Sequence, residues 1–195
     1  MESDFGGASI LVNNAGVTLI GDFKDVSVDE IEWLMKINFW GVVHGCKFFL
    51  PLLRRELDAH IINMSSISGL LGLGGQTHYC ASKFAVRGFT EALRQELLNT
   101  SVKVTAIFPG GIRTPIVRNA RIAASANPEQ AAAVQKLFTK LNLISPDQAA
   151  RLIISSMLHD KLRLLIGPDA RSIDTLQRLL PSKANSIIRA MIRRL

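Results

Sequence analysis

Short apolar runs alternate along this chain with longer segments in which apolar residues recur at helical spacing. Short runs of this kind, bounded by polar or small residues, are typical of buried strands. The pattern predicts strands at Ser9–Asn14, His60–Met64, Val102–Phe108 and Leu162–Ile166. The third of these has the dense β-branched content of a strand that is buried on both faces of a parallel sheet.

Helical segments are predicted between the strands. Ser27 and Glu30 form the capping-box pattern S-x-x-E, which predicts a helix that begins there and keeps its apolar period to about Leu53. A second helix is predicted over Tyr79–Leu98, and a third begins at Ser145 with proline at its first position. This alternation predicts an α/β fold with a doubly wound parallel sheet, whose ligand crevice lies at the carboxyl ends of the strands.

The only tyrosine of the chain, Tyr79, has a lysine four residues after it and a serine thirteen residues before it. On a helix, Tyr79 and Lys83 share one face, so the ammonium comes within reach of the phenol. A free phenol has a pKa near ~10, and a nearby cation lowers that pKa. With the Ser66 hydroxyl beside them, these groups suit proton transfer at a carbonyl oxygen. The triplet therefore predicts a hydride-transfer site.

Four ordered segments resemble the motifs of the short-chain dehydrogenase/reductase family. They are Asn13–Gly16 (N-N-A-G), Asn38–Gly41 (N-x-x-G), Ile61–Lys83 with its serines and tyrosine, and Pro109–Thr114 (P-G-x-x-x-T). The resemblance runs from about residue 8 to residue 167, so residues 1–167 are expected to form one domain and residues 168–195 a tail. It implies a Rossmann-like fold and an NAD(P)-dependent oxidoreductase that acts on a secondary alcohol or ketone.

The resemblance also implies roles for single residues. Tyr79 would exchange a proton with the substrate oxygen, Ser66 would hydrogen-bond that oxygen, and Lys83 would lower the tyrosine pKa and hold the cofactor ribose. Ser65 is the rival of Ser66, although the spacing to Tyr79 favours Ser66. Asn38, a mediocre helix former inside a helix, would hold a water that relays protons to Lys83. The alternative for Asn38 is a local hydrogen bond to the backbone.

Further residues are expected, again by resemblance, to line the site of a nicotinamide dinucleotide. Asn13, Ala15 and Gly16 would line the adenosine side, and Ile112 and Thr114 would face the nicotinamide. Pro109 and Gly110 would shape that turn, and Tyr79 and Lys83 would also contact the cofactor. Choice between NAD and NADP normally depends on a residue after the second strand of the complete fold, and that strand is not in this sequence.

The glycine-rich turn that opens a complete family member is also absent from this sequence. By the size of βαβ units, roughly 75 residues of the first half would precede Asn13. The run Gly69–Gly75 has its glycines in the reverse order of the dinucleotide pattern and follows the serine strand, so it does not replace that turn. We therefore expect an N-terminally shortened form that contains only the C-terminal part of the Rossmann-like sheet.

Composition narrows the class of protein further. The chain has 195 residues, of which 48% are hydrophobic, and this content suffices for one sizeable core. It contains neither a signal-like start nor an apolar stretch of bilayer length, and its two cysteines do not suggest a disulfide framework. These features predict a soluble, cytoplasmic protein. The four histidines lie singly, without partners at ligand spacing, so no metal site is expected.

Most of the net charge of +7 lies near the C-terminus, because the segment Lys161–Leu195 contains eight basic residues and two acidic ones. One helical stripe there consists of Ile187, Ile188, Met191, Ile192 and Leu195. Such a helix either contacts an anionic membrane surface or packs on its own domain or on a sister subunit. Nucleic acid is not expected, because the tail has no aromatic residue for stacking.

The long segment Arg113–Leu143 lies between a strand and a helix, where such segments often act as lids. We expect it to carry helices of its own. Its apolar residues are Ile116, Val117, Ile122, Leu137 and Phe138. They suggest an apolar substrate pocket, and inert packing is an equal alternative for any one of them.

Two functions remain open at this point. One is an oxidoreductase for a small-molecule alcohol or ketone. The other is an inactive remnant that serves in oligomerisation or as a membrane-peripheral interaction protein, because the Ser9–Asn14 strand would otherwise present an unpaired edge. The resemblance also implies a homo-oligomer, a dimer or tetramer formed through the helices that begin at Ser27 and Tyr79.

Overall fold

The computed structural model describes residues 6–140 and 143–192. Its strands are β1 (Ile10–Asn13), β2 (Leu19–Ile20), β3 (Ala59–Met64), β4 (Val102–Pro109), β5 (Arg121–Ile122) and β6 (Arg163–Ile166). In the described part, β1, β3, β4 and β6 form one parallel sheet in that order, and β2 pairs with β5 in a separate parallel ribbon. The predicted strands are confirmed, whereas the short ribbon was not predicted.

Helices connect these strands. They are α1 (Val28–Met35), α2 (Gly41–Leu53), α3 (Thr77–Glu96), α4 (Pro128–Lys140), α5 (Pro146–Leu158), α6 (Pro168–Leu179) and α7 (Ala184–Ile192). The predicted capping box is present, because the Ser27 side chain accepts from the Glu30 backbone and Glu30 reaches back to Ser27. Ser145 likewise caps α5 by accepting from Gln148 N. A π-helical turn, Lys36–Trp40, joins α1 to α2.

The core lies on both faces of the sheet. Successive residues of a strand point to opposite faces. Ile61 accordingly packs with α2 and α3 through Cys46 and Val86, while its neighbour Ile62 packs with α5 through Ala149. Helices therefore cover both faces, and the doubly wound α/β architecture predicted from the alternation is confirmed.

The two edges of the sheet differ in exposure. On β1, which pairs with β3 on one side in the described structure, Ile10 is 49% exposed and Val12 48% exposed. On β6, the opposite edge, Leu164 and Ile166 are buried against α5 and its neighbours. The unpaired edge expected for the first strand is thus present, with apolar side chains along it.

The C-terminal helices pack on the preceding part of the chain. Ala170 of α6 is buried, and Ala184 and Ile188 of α7 are buried against Leu71. The apolar stripe of α7 thus covers its own chain in part, although Met191 remains exposed. The Ile192 side chain and residues 193–195, which include Leu195, lie outside the described residues.

The segment predicted as a lid carries β5 and α4, as expected for a segment with its own helix. Ala123 is buried against Leu19, and Glu30 Oε1 accepts a hydrogen bond from Ala124 N at 3.2 Å. The segment is therefore anchored to α1 and β2. The Leu137 and Phe138 side chains lie outside the described residues. Among the helices that the structure describes, none is both long and apolar enough to cross a membrane.

Candidate active site

A cavity of about 410 Å³ opens where the strands of the main sheet end. Its walls are the segment Ser65–Ser68 after β3, the turn from Pro109 after β4, and side chains of α3 and α5. The carboxyl ends of parallel strands are the usual place for a ligand in such folds. The location of the crevice was thus predictable from the order of strands and helices.

Most of the predicted site residues line this cavity. They are Gly16, Ser66, Tyr79, Lys83, Pro109, Gly110, Ile112 and Thr114. Three predicted residues, Asn13, Ala15 and Asn38, are not part of its lining. Lining residues that sequence reasoning missed include Asn14, Thr18, Gln76, Gly111 and Asp169.

Tyr79 lies in the first turn of α3, with its hydroxyl beside the Ser66 side chain. Burial disfavours the phenolate and raises the pKa of Tyr79 to about 12, and the hydrogen bond with Ser66 offsets only part of that rise. The role expected for Lys83, which is to lower the tyrosine pKa, stays a prediction. Desolvation by burial is the largest cause of the shift.

Lys83 lies one turn further along α3 and is only 4% exposed. Its Nζ donates to the Met64 carbonyl at 3.0 Å and lies 5.7 Å from the centre of the Tyr79 ring. Burial of the ammonium lowers the pKa of Lys83 to about 8. The cavity thus disfavours the charged form of both groups, and any charge that develops there is screened little by solvent.

The two candidate serines have different partners. Ser65 Oγ donates to the Lys83 carbonyl at 2.8 Å, which fixes the end of β3 against α3. Ser66 Oγ accepts from Ser68 N at 3.1 Å and is also the hydroxyl beside Tyr79. The geometry therefore favours Ser66 for contact with a substrate oxygen.

Asn38 is fully buried in the π-helical turn. Its Nδ2 donates to Val17 O at 2.9 Å and to Ser82 Oγ at 3.2 Å, and its Oδ1 accepts from Val17 N at 2.8 Å. Both amide hydrogens are thus used, and the side chain links the chain after β1 to α3. The backbone partner is 21 residues away, so the bond is not the local one weighed as the alternative, and the water-holding role stays a prediction.

Asn13 points away from the cavity. Its Nδ2 donates to Asn63 Oδ1 at 2.8 Å, and Asn63 Nδ2 donates to Thr90 Oγ1 at 3.0 Å. Its side chain therefore belongs to the interface of the sheet with α2 and α3, and the expected place of Asn13 beside the cofactor stays a prediction. Its neighbour Asn14 lines the cavity instead. Ala15 is exposed and outside the lining.

Small residues bring backbone close to the cavity. A Cβ on Gly16 would lie 3.3 Å from Asn38 Oδ1 and 3.5 Å from Lys83 Nζ. The ribose and nicotinamide end of a dinucleotide fits beside the open backbone at Gly16, the Thr114 hydroxyl and the Lys83 ammonium. Within the residues described, no group of three or more His, Cys, Asp or Glu side chains is placed to hold a metal ion.

The part of the cavity nearest the lid segment is apolar. Ile20, Ile116, Val117 and Ile153 contribute to its wall. Ile122, which was also expected there, is 42% exposed and outside the lining. The cavity therefore combines a polar end at Tyr79 with an apolar end.

A doubly wound sheet with a serine just after one strand and a tyrosine and a lysine on the next helix, all around one crevice, defines a Rossmann-like oxidoreductase. Comparison with known proteins agrees with that class. The family model for short chain dehydrogenases matches residues 1–125. The chain belongs to the short-chain dehydrogenase family.

Individual relatives give the extent of the similarity. The SadH protein of Mycobacterium tuberculosis, named as an oxidoreductase, is 40% identical over 188 residues, which cover 95% of this chain and 67% of SadH. A 3-ketodihydrosphingosine reductase of Bacteroides thetaiotaomicron is 40% identical over 120 residues, which cover 62% of this chain and 45% of that enzyme.

A solved structure extends this to three dimensions. A short chain dehydrogenase/reductase from Burkholderia phymatum in complex with NAD superposes with a TM-score of 0.80 at 26% identity, covering 91% of this chain and 67% of that one. The chain thus spans about two thirds of the length of this protein and of SadH.

Proposed function

We propose that this chain forms the catalytic part of an NAD(P)-dependent oxidoreductase that interconverts a secondary alcohol and a ketone. Ser66, Tyr79 and Lys83 are the proposed catalytic residues, and Asn38 is a positioning residue. The observation that carries the proposal is that the side chains of Ser66, Tyr79 and Lys83 line one cavity at the ends of the strands.

A nicotinamide dinucleotide, when bound, supplies or accepts the hydride at the substrate carbon. Tyr79, with a pKa of about 12, carries its proton at neutral pH and can donate it to a carbonyl oxygen. The Ser66 hydroxyl donates a hydrogen bond to the same oxygen, where negative charge develops during reduction. In the direction of oxidation, the phenolate form of Tyr79 accepts the alcohol proton, and the Ser66 hydroxyl keeps its hydrogen bond to the substrate oxygen.

Lys83 stabilises the anionic form of Tyr79 in this scheme. Proton donation leaves a phenolate in a buried site, and the ammonium 5.7 Å from the ring centre is well placed to compensate that charge. With a pKa of about 8, Lys83 is mostly protonated at neutral pH. Residues of the dinucleotide site proposed beside it are Gly16, Pro109, Gly110, Ile112 and Thr114.

The substrate is proposed to have an apolar body next to its carbonyl. The support is the apolar part of the cavity wall, to which Ile116, Val117 and Ile153 contribute. The similar reductase of Bacteroides thetaiotaomicron is named for a keto compound. A cytoplasmic location and a homo-oligomeric state, both expected from the sequence, complete the proposal.

Calorimetric titration with NAD⁺, NADH, NADP⁺ and NADPH tests the proposal. We expect micromolar binding either of NAD⁺ and NADH or of NADP⁺ and NADPH, together with dinucleotide-dependent reduction of apolar ketones. Lys83→Ala is the variant that should weaken that binding, and Lys136→Ala, an exposed lysine of α4, is the matched control. If none of the four dinucleotides binds, the enzymatic role is overturned.

A second candidate function is supported by the bare edge of the sheet. Ile10 and Val12 are about half exposed on β1, a strand with free backbone groups that can pair with another strand. In this alternative, the chain acts through association rather than catalysis. Sedimentation analysis and the dinucleotide titration together separate the two, because the alternative requires assemblies that Ile10→Lys disrupts and a chain that binds no dinucleotide.

A further inference from the structure

We propose that Asp169 is a positioning residue that holds the Gly110–Gly111 turn and thereby sets the cavity wall that faces the nicotinamide end of the cofactor. Asp169 lies in the first turn of α6 and also lines the cavity. The link to the cofactor rests on the proposed function, whereas the hold on the turn is a property of the chain itself.

The central contact is a hydrogen bond to the backbone of the turn. Gly111 N donates to Asp169 Oδ2 at 2.7 Å, a short distance typical of a bond to a charged acceptor. The other carboxylate oxygen, Oδ1, is buried and has no hydrogen-bond partner in the described structure. An unpartnered buried oxygen is costly, so packing alone does not account for a carboxylate at this position.

Two glycines make room for this carboxylate. A Cβ on Gly110 would collide with both oxygens of Asp169, and a Cβ on Gly167 would collide with Oδ1. Gly167 also has a φ of 103°, a conformation that other residues rarely adopt. The chain therefore packs two backbone segments directly against one side chain, which fixes the position of the turn relative to α6.

The turn is in contact with the rest of the wall. Gly111 O accepts from Leu143 N at 2.9 Å and from Ile144 N at 3.1 Å, just before α5 begins. The residue after Gly111 is Ile112, which lines the cavity with Thr114. A displacement of Gly111 would therefore move the proposed nicotinamide wall and the start of α5 together.

Amide hydrogen exchange and dinucleotide affinity, measured on the same variants, test the proposal. Asp169→Ala should accelerate exchange of the Gly111 amide by roughly tenfold or more, as expected for loss of a hydrogen bond to a charged acceptor. It should also weaken dinucleotide affinity by roughly tenfold, because the wall is no longer held in place. Asp169→Asn, whose amide oxygen can still accept from Gly111, should restore most of both properties.

Asp174→Asn is the matched control. Asp174 lies on the same helix and bonds Arg163 and Arg178, each at 2.9 Å, and is not in the cavity lining. It should leave the Gly111 amide and the affinity unchanged. If Asp169→Ala does not fold, Asp169→Ser serves in its place, because serine is too short to reach Gly111 as the carboxylate does.

The outcomes are distinguishable. Unchanged exchange at Gly111 overturns the positioning role whether or not a dinucleotide binds. If the unmodified chain binds no dinucleotide, the proposed function fails, and local acceleration at Gly111 still supports the hold of Asp169 on the turn. Uniform acceleration at all amides, with no local effect, would show a general structural contribution and would also overturn the proposal.

Discussion

Two polar clusters each include residues of α3 and differ in how well their groups are satisfied. In the scaffold cluster, Asn13, Asn63 and Thr90 form a chain of hydrogen bonds that ends on the Val86 carbonyl. In the reactive cluster of Ser66, Tyr79 and Lys83, burial instead shifts the pKa of the phenol upward and that of the ammonium downward.

The difference separates stability from chemistry. Satisfied buried hydrogen bonds add to stability and specify a unique packing. Groups whose charged forms are disfavoured are poised to exchange protons, and they are typical of functional sites. We therefore expect substitutions in the scaffold cluster to change mainly the free energy of unfolding and those in the reactive cluster to change mainly turnover.

Tyr79→Phe should have the largest effect. It removes the proposed proton donor while it keeps the ring, so turnover of a ketone substrate should fall by about 10²–10⁴-fold. The free energy of unfolding should change by about 1 kcal/mol or less, because only the hydrogen bond with Ser66 is lost. Steady-state kinetics and urea unfolding measure the two quantities. Retained turnover would remove Tyr79 from the reactive cluster.

Lys83→Met should raise stability at neutral pH. The pKa of Lys83 is about 8 in the folded protein and near ~10.4 in an unfolded chain, so the unfolded chain binds more protons between these values. Stability of the unmodified protein should therefore rise as pH increases from about 8 to about 10. Below pH 8 the free energy of unfolding of the methionine variant should exceed that of the parent by about 3 kcal/mol at most. This difference should shrink as pH increases from about 8 to about 10.

Urea unfolding at several pH values below 10 checks this, before the raised pKa of Tyr79 adds an opposite slope. Above pH 10 the unfolded tyrosine loses its proton first, so stability falls as pH rises toward about 12. Lys83→Met should also weaken dinucleotide binding. A stability difference that does not vary with pH would contradict the proposed cost of the buried ammonium.

Asn63→Ala should destabilise the fold by about 2 kcal/mol, because it leaves the Asn13 amide and the Thr90 hydroxyl with one partner fewer in a buried place. Turnover per folded molecule should change less than threefold, roughly the scatter of substitutions that miss a site. Asn185→Ala, at an exposed position of α7, is the control. A large loss of turnover in the Asn63 variant would blur the distinction between the clusters.

Glu30→Gln should give the smallest effect, about 1 kcal/mol. Bonds from the Ser27 backbone lower the pKa of Glu30, and a bond from Ala124 adds to the effect. A lowered carboxyl pKa contributes stability that is present above pH 4.5, the ordinary value, and lost as pH falls through the lowered pKa. Unfolding measured at pH 7 and near pH 3 should therefore show a smaller difference between variant and parent at the lower pH.

The sequence predicted the parts of this molecule that depend on local pattern. Strand and helix order followed from apolar periodicity, and the first turn of α1 followed from Ser27 and Glu30. The cluster of Tyr79 and Lys83 followed from helical spacing. The bounds of these elements differ from the prediction by one or two residues, as expected where helices and strands end.

Other features depend on contacts between distant segments and could not be predicted in this way. Asn13 and Asn14 are adjacent and chemically identical, and only the sheet decides which of them faces the cavity. Asp169 is 58 residues from Gly111, so no spacing rule connects them. The raised pKa of Tyr79 could not be predicted either, because it depends on the depth of burial, which a sequence does not contain.

The π-helical turn at Lys36–Trp40 has a consequence for the comparison of homologous sequences. Gly41 N bonds to Lys36 O, so this turn holds one residue more than an α-helical turn. The helical period of the apolar residues before Asn38 is therefore out of phase with the period after it. An alignment that applies one uninterrupted helical period to residues 28–53 would assign buried and exposed positions wrongly either before or after the π-helical turn. The periodicity of the two parts has to be determined separately.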